Sequence, residues 1–118
     1  MNISIFHNPK CTKSRETLKL LTDRGIEPKI VLYLQTPPTQ KELSEILKKL
    51  GMEPKELIRF KEPVAVELGI KPSDKRPEAE WIKLMAENPI LIERPIVITP
   101  TKAALGRPPE NVLKLIGS

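Results

Sequence analysis

Thirteen prolines punctuate this chain of 118 residues, about twice the usual share. They lie singly or in pairs at the junctions between apolar stretches and form no repeat. They therefore read as punctuation of a folded chain, not as a disordered segment. What lies between them is a series of short elements, and their order is the strongest constraint on the fold.

Asn2 to Phe6 alternates and is β-favouring at Ile3, Ile5 and Phe6, which predicts a short first strand. Lys13 to Arg24 reads as a helix with Leu18, Leu21 and Thr17 toward one face, stopped by Gly25. Lys29 to Leu34 is a continuous apolar run of strand length, the pattern of a strand covered on both faces. After Thr36-Pro37-Pro38, Thr39 and Glu42 form a capping-box pattern. Leu43, Ile46, Leu47 and Leu50 then recur at helical spacing up to Gly51. Pro54 to Ile58 and Val64 to Leu68 fit short helices, and Pro77 to Asn88 fits an amphipathic one with Trp81, Leu84 and Met85 inward. Ile90 to Ile92 is apolar but short. Pro95 to Thr99 predicts a strand, with Lys102 to Gly106 as its hairpin partner across Pro100-Thr101. Pro108 and Pro109 open a last helix with Val112, Leu115 and Ile116 inward, ending at Gly117. A β-α-β start and a β-β-α finish, split by a helical block, is the plan of an α/β, thioredoxin-like fold with a helical insertion. No linker or repeat interrupts it, so one domain over residues 1–118 is expected.

Hydrophobic residues make up 39% of the chain and aromatics only 3%. A core is possible but must be mostly Leu, Ile and Val. No apolar run approaches the about 18 residues of a membrane span, and Met1 to Phe6 is too short for a signal peptide. The net charge is +5. Because basic and acidic residues are mixed and aromatics scarce, a solvated basic surface is expected and nucleic-acid binding is not. No large apolar stripe is evident, so a monomer is expected.

There is one cysteine, Cys11, in the run His7-Asn8-Pro9-Lys10-Cys11-Thr12-Lys13-Ser14-Arg15. One thiol cannot make an intramolecular disulfide, so a reducing, cytoplasmic setting is the simplest. A lone cysteine is often an inert buried hydrophobe, but polar and charged neighbours argue against burial here. A thiol at a helix start, with Lys10, Lys13, Arg15 and His7 nearby, is well placed to be a thiolate nucleophile. The loop amides could also cradle an oxyanion. The phosphatase pattern Cys-x5-Arg is absent, because Thr17 stands where its arginine would be. Cys-x-x-Cys is absent too, because Ser14 holds its second position, so any adduct on Cys11 needs an external thiol to resolve it. Ser14 reads either as a hydrogen-bond donor to the Cys11 sulfur or as an ordinary helix-start hydroxyl. His7 reads either as a thiolate partner or as a packing residue.

Arg59, Arg94 and Arg107 each sit at the end of an element, where ligand groups gather. Guanidinium forks suit a tetrahedral oxyanion, but from composition alone any one of them reads first as a solvated surface charge, and spacing does not bring the three together.

The motif His7-Asn8-Pro9-x-Cys11-x-x-Ser14-Arg15-x-Thr17-Leu18 resembles the active-site loop of the glutaredoxin-dependent arsenate reductase (ArsC) family. The resemblance continues through Tyr33-Leu34-x-Thr36-Pro37-Pro38, Leu57-Ile58-Arg59, Asn88-Pro89-x-Leu91-Ile92-x-Arg94-Pro95-Ile96-Val97 and Gly106-Arg107-Pro108-Pro109-Glu110. Thr12-Lys13 departs from the Gly-Thr of the best-studied members and resembles the Ser-Lys of a housekeeping branch. Val64-Ala65-Val66 stands where relatives often carry an aromatic.

The resemblance implies an oxidoreductase that converts arsenate to arsenite. Cys11 would be the nucleophile, and Arg59, Arg94 and Arg107 would hold arsenate and its thiol adduct. His7, Ser14 and Arg15 would support the loop, and Pro95 falls where the fold places a cis-proline. It implies glutathione as co-substrate, glutaredoxin as partner, no bound cofactor and no metal. Two other readings stay open: a regulator of the Spx type that binds RNA polymerase, and a glutathione-linked thiol oxidoreductase with another substrate. Ser14 in place of a second cysteine speaks against the regulator.

Overall fold

A computed structural model describes residues 2–116. The strands are β1 (Ser4–Phe6), β2 (Lys29–Val31), β3 (Ile96–Ile98) and β4 (Ala103–Leu105). The helices are α1 (Thr12–Asp23), α2 (Gln40–Leu50), α3 (Pro63–Leu68) and α4 (Glu78–Glu87), with 3-10 turns at Pro54–Leu57, Pro89–Leu91 and Pro109–Leu115. The chain divides into two compact units, Met1–Thr36 with Arg94–Ser118, and Pro37–Glu93. The second is the helical insertion, which in sequence separates the β-α-β start from the β-β-α finish.

In the first unit the four strands form one mixed sheet of order β2-β1-β3-β4. β1 runs parallel to β2 and antiparallel to β3, and β3 and β4 form the expected hairpin. Register places Ile5 opposite Val97. Because strand side chains alternate between faces, these two share one face, where they pack with Ile3, Leu21 of α1 and Val112 of the last turn. The flanking register pairs, Ser4 with Ile98 and Phe6 with Ile96, lie on the opposite face, and Phe6 stacks on Tyr33 at 5.9 Å.

The apolar run at Lys29 to Leu34 behaves differently from its sequence pattern. β2 ends at Val31, and Leu32 to Thr36 closes a turn on the Leu32 carbonyl. β2 is an edge strand, not one covered on both faces, and Ile30 is 49% exposed. Tyr33 alone of the run's second half is buried. The last helix is a 3-10 turn, not an α-helix, with Val112 buried and Leu115 and Ile116 packed against the core. The predicted stop at Gly117 lies outside the described residues.

In the second unit the capping box forms as read. The Thr39 hydroxyl accepts from the Glu42 amide and the Glu42 carboxylate accepts from the Thr39 amide, each at 3.1 Å. Gly51 ends α2 in the left-handed conformation, φ 68°, which its missing side chain permits. Leu43, Ile46 and Leu47 of α2 and Trp81 and Met85 of α4 are buried. Arg76 lies over the Trp81 ring at 5.5 Å and pairs with Glu80 at 2.7 Å. Among the described residues no helix is long and apolar enough to cross a membrane.

Candidate active site

β1 delivers the chain into the loop that carries Cys11, and the loop is fastened residue by residue. The His7 amide donates to the Val31 carbonyl at 2.9 Å, which extends the β1–β2 ladder. The Asn8 side chain accepts from the Lys10 amide at 3.0 Å, and the Asn8 carbonyl accepts from the Cys11 amide at 2.9 Å. An asparagine that folds its side chain back onto the following backbone in this way builds a tight turn. Arg15 reaches back from α1 and donates to the Pro9 carbonyl at 2.8 Å and to the Thr12 hydroxyl at 3.3 Å.

Cys11 is the N-cap of α1. Its backbone is extended, its carbonyl takes the Arg15 amide at 3.0 Å, and its side chain makes no capping bond. The sulfur is therefore left for other partners at the positive end of a helix. The first turn of α1 holds no acidic residue to offset that field. Cys11 is half-buried.

The partner that the fold supplies is Arg107, whose Nη2 stands 3.8 Å from Cys11 Sγ. Its Nε donates to the Arg94 carbonyl at 2.7 Å. The β3–β4 hairpin explains this arrangement. Ile96 pairs with Leu105, and beyond that pair the Gly106 amide donates to the Pro95 carbonyl at 2.9 Å. The pairing thus continues past the strand ends and brings Arg94-Pro95 alongside Gly106-Arg107. Both Arg94-Pro95 and Arg107-Pro108 are cis peptides. Asn111 donates to the Arg107 carbonyl at 3.0 Å and closes the segment. Arg94 is joined to Arg107 through its main chain, while its own Nε and Nη1 are buried.

Ser14 and His7 are placed otherwise than a bond to sulfur would require. The Ser14 hydroxyl is fully buried, accepts from the Asn8 amide at 3.0 Å and lies 2.6 Å from His7 Nδ1. The two side chains lock the loop to the first turn of α1. Burial, and then the nearby Arg15 charge, hold the His7 pKa below its usual value, so the ring is neutral at pH 7.

Arg59 belongs to the second unit. An isolated antiparallel bridge between Ile58 and Ile92 aligns it with Glu93. Its Nε lies 3.0 Å from one Glu93 oxygen, and its Nη1 lies 2.5 Å from Glu62. Two carboxylates therefore share one guanidinium. Neither acid was singled out in the sequence. The i, i+3 spacing of Arg59 and Glu62 was a usable signal, while Glu93 needed the bridge. Thr17 and Gly106 stand in the quoted motifs without a role of their own, although a glycine at a strand end beside Arg107 is a sign of close backbone approach. Among the described residues no cluster of three or more His, Cys, Asp or Glu side chains could hold a metal ion.

A thioredoxin-like sheet with a helical insertion, and a single thiol at a helix start facing a guanidinium, define a class of one-cysteine α/β proteins. Comparison with known proteins narrows it. The model of the ArsC family matches residues 6–115. The chain is 50% identical to the uncharacterized protein YfgD of Escherichia coli K12 over 116 residues, which is 98% of this chain and 97% of that protein. It is 46% identical to an arsenate reductase of Haemophilus influenzae over 117 residues, 98% of this chain and all of that one. Its fold superposes on an arsenate reductase from Vibrio cholerae with a TM-score of 0.91 at 44% identity, covering 97% of both chains. This chain belongs to the ArsC family.

Proposed function

We propose that this protein is an arsenate reductase that uses Cys11 as its nucleophile and draws its electrons from glutathione and a glutaredoxin. The observation that carries the reading is the approach of Arg107 Nη2 to Cys11 Sγ, 3.8 Å apart, at the uncompensated N-terminus of α1. A guanidinium beside the sulfur and the positive end of a helix behind it suit the oxyanion that the sulfur would attack.

In the first step the Cys11 thiolate attacks arsenic(V) and forms an S–As bond while one oxygen leaves as hydroxide or water. Arg107 offsets the charge on the remaining oxygens. A glutathione thiolate then displaces a second oxygen and forms a second S–As bond. A glutaredoxin thiolate attacks the glutathione sulfur, making a mixed disulfide. The electron pair of the broken S–As bond stays on arsenic, which becomes arsenic(III). Water releases arsenite and returns Cys11 as a thiol. The chain has no other cysteine, so the thiols that carry the electrons are external. Arg94 and Arg59 enter this reading as further oxyanion ligands through their motifs, with His7, Ser14, Arg15 and Pro95 shaping the loop.

The test is arsenite formation by purified protein supplied with arsenate, glutathione and a glutaredoxin, beside Cys11→Ala. Formation that needs Cys11 and both thiol donors supports the reading. Arsenite made equally well by Cys11→Ala overturns the mechanism. A folded protein with a reactive Cys11 and no arsenite overturns arsenate as the substrate.

A further inference from the structure

Gly106 is a glycine for want of room. A Cβ built on it would run into Thr17 Oγ1, and would stand 2.7 Å from Pro95 Cγ and 3.0 Å from Thr17 Cγ2. Its φ is not in the left-handed range, so the requirement is space and not backbone freedom. The wall it meets is firm. Thr17 is fully buried, and its hydroxyl donates to the Lys13 carbonyl one turn back at 2.8 Å, which fixes the side-chain rotamer. That hydroxyl also lies 3.5 Å from the Gly106 carbonyl.

These contacts close a ring. Cys11 caps α1, Thr17 stands on the same helix, Gly106 rests on Thr17, and the next residue, Arg107, returns to Cys11. We propose that Thr17 is a positioning residue: its buried branch is the seat for Gly106, and this seating sets the distance of the Arg107 guanidinium from the Cys11 sulfur. The proposal deepens the reductase reading and rests on it for its purpose, but the contact itself can be tested without arsenate.

The experiment compares alkylation of Cys11 by anionic iodoacetate and neutral iodoacetamide at one pH. The thiolate fraction enters both rates alike and cancels in their ratio, which reports the local positive charge. Arg107→Ala should lower the ratio about fivefold, the effect of a unit charge about 4 Å away in water. Gly106→Ala pushes Arg107 off its seat, and Thr17→Ala removes the seat, so each should lower the ratio about twofold. In the double variant the new methyl at 106 takes the space vacated by Thr17 Oγ1 and Cγ2, and only its 2.7 Å approach to Pro95 Cγ is left to be absorbed. The ratio should therefore lie nearer the wild-type value than in Gly106→Ala alone, a coupling that independent losses of stability would not give. Thermal melts of each variant confirm folding. If Gly106→Ala does not fold, Thr17→Ala carries the test alone. An unchanged ratio in the folded single variants, no restoration in the double variant, or no effect of Arg107→Ala overturns the proposal. None of these outcomes depends on arsenite formation, so the two readings fail separately.

Discussion

Arg107 and Cys11, 96 residues apart in the chain, meet at 3.8 Å through Nη2 and Sγ, and the same guanidinium is held from behind by the Arg94 carbonyl. A planar fork holds both partners in one fixed geometry, which an ammonium on a flexible stem does not. Arg107→Lys should therefore fail to replace arginine. Arg107→Ala should lower kcat for arsenate reduction by about a hundredfold, the usual effect of losing one charge-stabilising donor. Arg107→Lys should recover less than a tenth of that loss. Steady-state kinetics of arsenite formation check both, and full activity in the lysine variant would show that a point charge is enough.

His7 gives a pH dependence whose sign follows from its burial. Its folded pKa lies below the ordinary value of 6.5, so the folded state favours the neutral ring. The unfolded chain therefore takes up the proton first as pH falls. The stabilisation is complete above 6.5 and is lost as pH drops through the folded pKa. Thermal melts between pH 7.5 and 5 should show Tm falling on the acid side. His7→Asn, which cannot titrate, should reduce that slope. Equal slopes in the two proteins would rule out His7 as the source.

Much of this fold is legible in the chain because its signals are local. Thr39 and Glu42 announce a helix start by satisfying each other's amides, and Gly25 and Gly51 end helices at positive φ. The hairpin from β3 to β4 follows from two short β-favouring runs around Pro100-Thr101. β2 misleads because an apolar run has the same appearance at an edge as at the centre of a sheet. Which it is depends on strand order, and strand order is settled by distant pairing. The site divides in the same way. Cys11 stands out from its neighbours alone, and the Arg107 motif from its family likeness. That Arg107 reaches the sulfur and that Glu93 joins Glu62 on Arg59 depend on long-range register, and that Ser14 turns to His7 depends on how the loop folds back on α1.

Ser14 secures the loop to the helix from inside, together with His7. Its hydroxyl takes the buried Asn8 amide and meets His7 Nδ1. Ser14→Ala leaves that amide without an acceptor, a loss of about 1–3 kcal/mol. Urea unfolding should show this as a lower midpoint with an unchanged slope. Hydrogen exchange at the Asn8 amide should accelerate beyond the change in global stability, since the loop opens locally. A variant with wild-type stability and protection would mean that water or another group replaces the hydroxyl without loss.

The packing that supports α1 can be tested apart from chemistry. Leu21 is fully buried among Ile3, Ile5, Val97 and Val112, so it ties the helix that carries Cys11 to the sheet. Leu21→Ala removes buried methyl groups from a site walled by strands that cannot collapse freely, at a cost of about 2–5 kcal/mol.

The Arg59 ion pairs set a limit on what surface charge can contribute. Arg59 and Glu93 are each about a quarter exposed, and the pair is aligned by the Ile58–Ile92 bridge. Partly exposed pairs of this kind are worth about 0.2–1 kcal/mol because water screens the attraction. A double-mutant cycle with Arg59→Ala and Glu93→Ala should give a coupling energy in that range. Arg59→Ala should then lose far more arsenate-reducing activity than its small loss of stability can explain, if its guanidinium serves the oxyanion. Activity that falls only in step with the unfolded fraction would confine Arg59 to holding Glu62 and Glu93 together.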